Sequence, residues 1–152
     1  MGGNFYSILA DRMPADTGSA CLLVPGRDAL SFAGLDSLSA RMAGVLAALG
    51  AAPGDRVTVQ AVKSPEVLAL YLACLRSGLV YMPLNTAYTR SELEYFVADA
   101  RPTVIVCDPD DEASMREIAD ARAPGAGVLT LGADGQGSLA AGAAAATPAG
   151  AI

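Results

Sequence analysis

The side chains of this 152-residue chain that could carry out chemistry are few and widely spaced. The chain has no histidine, so a Ser-His-Asp triad and a histidine-activated cysteine are excluded within it. Its three cysteines, Cys21, Cys74 and Cys107, form no Cys-x-x-Cys pair, which disfavours a zinc site. Each cysteine lies among apolar residues. We interpret all three as buried, reduced thiols, as is typical of a reducing cytoplasm.

A glycine-rich segment and an acidic cluster are two further candidates. The segment Gly132–Gly137 lacks the lysine and the hydroxyl residue of a P-loop and does not fit the dinucleotide fingerprint, so we interpret it as a flexible connector. Asp108, Asp110 and Asp111 could bind a divalent cation, but no EF-hand glycine or twelfth-position glutamate follows them. Because a helix start favours negative charge, we interpret the cluster as a helix start.

Two charged residues and one loop remain as candidates. Lys63, the only lysine, and Arg76 lie at the two ends of an apolar segment, where we expect their charges to stay in solvent. The loop Asn85–Tyr88 follows the carboxyl end of a predicted strand, which is where ligands gather in open α/β sheets. It is either a plain connection or part of a pocket.

The elements that must position these residues alternate between strand and helix. The amino-terminal segment predicts a helix with Phe5, Ile8 and Leu9 on one face, and the spacing from Leu35 to Leu49 predicts an amphipathic helix. The predicted strands are 21–24, 30–32, 57–61, 79–82, 103–107 and 128–131, and the other predicted helices are 64–77, 89–100 and 111–122. Strands that alternate with helices indicate an α/β fold with a parallel sheet and right-handed crossovers.

The composition disfavours two classes of partner. A net charge of −6 argues against nucleic acid binding, because phosphates need clustered lysine and arginine. No apolar stretch reaches the ~18 residues that suggest a membrane span. The segment from Met1 to Arg12 lacks the basic and apolar regions of a secretory signal. We therefore expect binding to neither nucleic acid nor membrane, and a cytoplasmic location.

Three short blocks resemble a known family. Leu30–Leu35 (LSFAGL) is similar to L-T-Y-x-x-L, Pro53–Val57 (PGDRV) contains G-D-R-V, and Tyr71–Leu84 contains A-x-L-x-x-G-x-x-Y-x-P-L. In this order and spacing, the blocks resemble the amino-terminal part of the adenylate-forming (AMP-binding) acyl-CoA synthetases, over residues 4–131. Within that range, the stretch Tyr71–Phe96 is most similar to the malonyl-CoA synthetases.

The resemblance implies an α/β fold, namely the parallel-sheet amino-terminal portion of the acyl-CoA synthetase fold, incomplete in this chain. It also implies a two-step ligase, in which a small carboxylic acid such as malonate attacks the α-phosphate of ATP with Mg²⁺ present. The thiol of CoA then displaces AMP. The family's catalytic motifs do not occur among the 152 residues. We therefore assign no catalytic, cofactor-binding or metal-binding residue, and expect this chain to be inactive and to hold no cofactor by itself.

The resemblance also divides the chain into two parts. Residues 1–131 would form a partial AMP-binding-type domain. Residues 132–152 would be a Gly/Ala-rich linker, or a poor alanine helix, that leads to a phosphate-binding loop missing from this chain. The expected partners are the small acid and the carboxy-terminal portion of the ligase. Three interpretations stay open: a truncated ligase, a non-catalytic binding or interaction module, and one subunit of a split ligase.

Overall fold

Four parallel strands form the central sheet of the structure, a computed structural model that describes residues 3–152. The strands of this sheet are β3 (Arg56–Gln60), β4 (Val80–Pro83), β5 (Val104–Cys107) and β6 (Gly127–Thr130). Two short strands, β1 (Ala20–Leu22) and β2 (Leu30–Ser31), pair antiparallel in a separate hairpin. The order across the central sheet is β4-β3-β5-β6, so β4 and β6 lie at its edges within the described residues.

Within residues 3–152, six α-helices accompany the strands. They are α1 (Phe5–Ala10), α2 (Phe32–Ala48), α3 (Pro65–Arg76), α4 (Arg90–Ala100), α5 (Glu112–Arg122) and α6 (Ser138–Ala145), and a 3-10 helix spans Pro109–Asp111. The helices α3, α4 and α5 each connect two parallel strands. The predicted parallel sheet with helical crossovers is therefore confirmed.

The sheet separates two hydrophobic clusters, because successive side chains of a strand point to opposite faces. On the first face, buried residues of α2, α3 and α6 pack against Val57, Val59, Val104 and Val106. On the second face, buried residues of α4 and α5 pack against Ile105 and Cys107. All four residues of β5 are buried, as predicted for a strand covered on both faces.

The start of each crossover helix follows local rules. Ser64 caps α3 and Pro65 occupies its first position, where the missing amide hydrogen has no cost. Thr89 and Glu92 form a capping box at α4, so both satisfy amides that lack partners within the helix. These caps fix the residues at which α3 and α4 begin.

The predicted amino-terminal helix is present as α1, but its apolar face is not the one that it buries. Tyr6 is its buried residue, whereas Phe5 and Ile8 are 52% and 53% exposed. The face that carries Phe5 and Ile8 therefore lies largely in solvent, and Leu9 packs only partly against the first cluster. A six-residue helix has fewer than two turns, so polar contacts made by Tyr6 outweigh its apolar periodicity.

The segment after β6 differs from a plain linker. Of the two alternatives for residues 132–152, the alanine helix is present as α6, and its Leu139 and Ala143 are buried against the first cluster. Alanine favours the helix and lets it approach α2 closely. At Gly44 of α2, a side chain would collide with the carbonyl oxygen of Thr147. The segment is therefore packed against the sheet and helices that precede it.

Candidate functional site

A small polar cavity lies where the carboxyl ends of the strands meet the start of α5. Its volume is about 90 Å³, and its polar lining consists of Gln60, Thr86, Tyr88, Asp111 and Ser114. The Nε2 atom of Gln60 donates to the carbonyl oxygen of Asn85 at 2.9 Å, which fixes the loop at the cavity edge. The loop Asn85–Tyr88 thus lines a pocket. That pocket has room for about three water molecules and is too small for a nucleotide.

The acidic cluster begins a helix, as predicted. The Oδ1 atom of Asp108 accepts a hydrogen bond from the amide of Asp110 at 3.0 Å and so caps the 3-10 helix that leads into α5. In the part of the chain that the structure describes, no group of three or more His, Cys, Asp or Glu residues could hold a metal ion.

The glycine-rich segment is a hydrogen-bonded turn, which differs from the flexible connector expected. The amide of Gly132 donates to the carbonyl oxygen of Gln136 at 2.7 Å, and the Oδ1 atom of Asp134 accepts from the amide of Gln136 at 2.9 Å. Thr130 and Ser138 then close the turn, because the amide of each donates to the side-chain oxygen of the other at 2.9 Å. Local backbone bonding therefore gives this segment a defined shape.

This turn lies against the first turn of α3, where Glu66 pairs with Arg27. The Nη1 atom of Arg27 donates to Oε2 of Glu66 at 3.1 Å, and Gly135 lies so close that a side chain there would meet the Glu66 carboxylate. Burial by itself raises the pKa of Glu66, but the hydrogen bond and charge of Arg27 help to bring it below its usual value. The ionised carboxylate of Glu66 thus links α3 to the hairpin through Arg27, and the glycine-rich turn packs against it at Gly135.

A more open cavity of about 300 Å³ lies beside the same helix start. Its lining is apolar except for Arg27, Lys63 and Ser64. Lys63 is exposed, which confirms that its charge stays in solvent. These residues offer a cationic rim and an apolar wall, but they do not pair a nucleophile with a base.

Arg76 contradicts the expectation that its charge is in solvent, since the residue is only 4% exposed. Its Nη2 atom forms an ion pair with the carboxylate of Asp36 and donates to the hydroxyl oxygen of Tyr6. Its Nη1 atom donates to the carbonyl oxygen of Ala149 at 3.0 Å. The guanidinium also lies over the Tyr6 ring, 4.2 Å from the ring centroid. This cluster of Arg76, Asp36, Tyr6 and Ala149 joins α1, α2, α3 and the segment after α6.

Sequence reasoning missed this cluster although one signal was present. Arg76 follows Leu72 by four residues, so the two share a face of a helix that is apolar nearly all round. Because a buried arginine requires a charged or hydrogen-bonding partner, this position predicts a carboxylate close to Arg76. Burial, and then the hydrogen bond to Asp36, raise the pKa of Tyr6 above its ordinary value, so its hydroxyl stays protonated at neutral pH.

The cysteines are free thiols in the described residues. Cys74 and Cys107 are buried, and burial raises the pKa of each to about 12. Both are therefore neutral at pH 7 and unsuited to act as nucleophiles. Cys21 is only partly buried, so the interpretation as a buried thiol holds fully for two of the three.

None of the helices within residues 3–152 is both long enough and apolar enough to cross a membrane.

The chain is similar to known proteins along nearly its whole length. A family model described as "AMP-binding enzyme" matches residues 11–149. An indoleacetate–CoA ligase from Aromatoleum aromaticum is 36% identical over 108 residues, which is 71% of this chain and 21% of that protein. CymA from Salinispora arenicola, a probable non-canonical nonribosomal peptide synthetase, is 35% identical over 107 residues, 70% of this chain and 1% of that protein.

A solved structure gives a similar result for the fold. ATP-bound MatB from Rhodopseudomonas palustris superimposes with a TM-score of 0.93 and 44% sequence identity, over 100% of this chain and 30% of that one. The chain therefore spans less than a third of these relatives and matches the amino-terminal part of the adenylate-forming fold, which confirms the predicted fold class. From this match and the family model, we conclude that the chain belongs to the family of AMP-binding enzymes.

Proposed function

We propose that this chain is the amino-terminal part of an ATP-dependent acyl-CoA ligase, which forms an acyl-adenylate and then an acyl-CoA. The observation that carries the proposal is the similarity to ATP-bound MatB over the whole chain, at 44% identity. The family match over residues 11–149 and the identity with a CoA ligase support it further.

The proposed acid is malonate or a similar small carboxylic acid. The stretch Tyr71–Phe96, which resembles the malonyl-CoA synthetases, supports this choice. The relative from Aromatoleum is named for indoleacetate, a larger aromatic acid. A test of the substrate must therefore compare small acids with aromatic ones.

The parent ligase would use ATP, Mg²⁺ and CoA, with the metal offsetting phosphate charge during adenylation. The cavity beside Gln60, with a volume of about 90 Å³, is smaller than a nucleotide, and the acidic cluster is a helix start. In this proposal the remainder of the ligase therefore supplies the residues that hold these groups. In this proposal, residues 1–131 form the partial domain, residues 132–152 connect it to a phosphate-binding loop, and no residue of the chain is catalytic. We also propose a cytoplasmic location, which the free thiols of Cys74 and Cys107 support.

ATP–pyrophosphate exchange tests the function. We expect no exchange by the purified chain alone with malonate, acetate or indoleacetate. Co-expression with the carboxy-terminal remainder of a MatB-type ligase should produce exchange that depends on malonate. A Leu72→Ala variant, which weakens the buried face of α3, should give less reconstituted activity. Exchange by the chain alone would overturn the proposed inactivity, and a preference for indoleacetate would overturn the proposed acid.

One observation favours a second candidate, a non-catalytic module. Both faces of the sheet are covered by helices, which favours a unit that folds without a partner. A module would leave the carboxy-terminal remainder unbound, whereas a subunit of a split ligase would be activated by a separately encoded partner. The same co-expression experiment distinguishes the two.

A further inference from the structure

We propose that Arg76 is a positioning residue, which fixes the course of the segment Ala149–Ile152 and thereby the place where the chain enters the rest of the ligase. Its consequence for ATP binding rests on the proposed function. The contacts that support it lie within this chain and can be tested without any activity.

Arg76 holds the segment through both its side chain and its backbone. Its Nη1 atom donates to the carbonyl oxygen of Ala149 at 3.0 Å, and its own carbonyl oxygen accepts from the amide of Ile152 at 3.1 Å. The amide of Ala149 donates in turn to the carbonyl oxygen of Ala40 in α2 at 2.9 Å. One residue therefore fixes the segment at two points that lie three residues apart.

The other side of the guanidinium is fixed by Asp36 and Tyr6. The planar guanidinium group of an arginine presents its donors in a rigid arrangement. Arg76 can therefore donate from Nη2 to the carboxylate of Asp36 and from Nη1 to the carbonyl oxygen of Ala149 at the same time. The side chain of Arg76 is 5% exposed, so displacing it from these partners would leave a buried charge uncompensated. The segment is thus tied to α1 and α2 through a group that cannot easily move.

Hydrophobic burial does not replace these bonds at the end of the segment. Ile152 is 63% exposed, and its side chain lies beside Gly78. Hydrogen bonds rather than packing therefore determine where Ile152 lies. In the proposed ligase, a phosphate-binding loop follows this segment, so Arg76 would affect ATP binding without touching ATP.

Hydrogen exchange of single amides tests the proposal on the 152-residue chain. In Arg76→Lys, which keeps the charge but loses the fork, the amides of Ala149 and Ile152 should exchange about tenfold faster relative to the amides of β5. Arg76→Gln carries the same expectation and covers the case in which the lysine variant does not fold.

Two control variants separate positioning from general destabilisation. Leu72→Ala, one turn earlier in α3, should speed exchange in β5 without raising the ratio of segment to β5 rates. Arg90→Lys, an exposed arginine on the other face of the sheet, should leave all of these rates unchanged. An unchanged ratio in the Arg76 variants would overturn the proposal.

A second arm uses the reconstituted ligase. There Arg76→Lys should raise the KM for ATP about tenfold and leave the KM for malonate unchanged, since only the segment leading to the phosphate loop is displaced. Equal changes in both constants would contradict a positioning role. If the wild-type chain gives no reconstituted activity, the proposed function fails, while the exchange ratio still decides whether Arg76 positions the segment.

Discussion

The two faces of the central sheet are stabilised by different kinds of polar contact. On the face covered by α4 and α5, the ion pairs are largely exposed: Arg90–Glu94, Arg90–Glu117 and Arg122–Glu94. On the opposite face, Arg76 is buried and joins Asp36, which precedes it by 40 residues, and Ala149, which follows it by 73. The exposed ion pairs lie on the surface of α4 and α5, whereas the buried contacts of Arg76 determine how segments that are distant in sequence pack together.

This difference indicates where stability and placement depend on single residues. Exposed ion pairs are screened by water and salt, so each contributes little. A buried arginine depends strongly on its partners, because the interior cannot solvate an unpaired charge. We therefore expect the face with α1, α2, α3 and α6 to be sensitive to single polar substitutions and the face with α4 and α5 to be tolerant of them.

The largest expected effect comes from removing the partner of the buried charge. Asp36→Ala should lower the free energy of unfolding by about 3 kcal/mol, because it leaves the buried Arg76 guanidinium without its carboxylate. This is the lower end of the range for a broken buried ion pair, since the Asp36 side chain is 50% exposed and water can partly replace it. Glu117→Ala, which removes an exposed carboxylate from the other face, is the matched control and should change little. Urea denaturation measures both. Similar midpoints for the two variants would mean that the contrast between the faces is wrong.

The next effect tests whether the segment after β6 belongs to the first face. Leu139 is fully buried in α6, so Leu139→Ala should cost about 2–3 kcal/mol, comparable to Leu72→Ala in α3. Gln136→Ala changes an exposed side chain in the preceding turn and serves as the control. Equal urea midpoints for Leu139→Ala and Gln136→Ala would contradict this expectation and would mean that residues 132–152 are a linker.

A smaller effect at alkaline pH should be common to both faces, since each holds one buried thiol. The folded pKa of Cys74 and of Cys107 is about 12, above the ordinary value of 9.0. The contribution of these protonated thiols to the free energy of unfolding is therefore fully present below pH 9 and is lost as the pH rises from 9 towards 12. For each thiol, the free energy of unfolding should be about 1.4 kcal/mol lower at pH 10 than at pH 7.

The double variant Cys74→Ala/Cys107→Ala provides the control for this pH dependence. Its stability should change less between pH 7 and 10 than that of the wild type, as measured by urea unfolding at each pH. Identical pH dependence in the two proteins would show that these thiols do not ionise on unfolding in that range.

Local rules made most of the fold predictable. The capping box at Thr89, the proline after Ser64 and the β-branched run at β5 each act over a few residues, so the sequence alone predicts the elements they begin or form. Alternation of strands and helices then predicts the parallel sheet. Residues that act through neighbours in sequence were therefore interpreted correctly.

The features that were missed depend on contacts between distant residues. The buried side of α1 is decided by Tyr6, whose partners Asp36 and Arg76 lie 30 and 70 residues away. The packing of α6 depends on α2, about a hundred residues earlier. A pattern of apolar residues predicts that a helix packs against the core, but it does not predict which polar group the helix contacts there.

The central claim, that this domain is one part of a larger ligase, is tested most directly by sedimentation velocity of the isolated chain with and without the carboxy-terminal remainder. Phe5, Ile8 and Ile152 are exposed, and β4 and β6 are edge strands within the described residues, so surface remains for association. We predict that the chain alone self-associates or binds a hydrophobic dye, and that the remainder converts it into a one-to-one complex. A compact monomer that binds no dye and does not associate with the remainder would contradict the account.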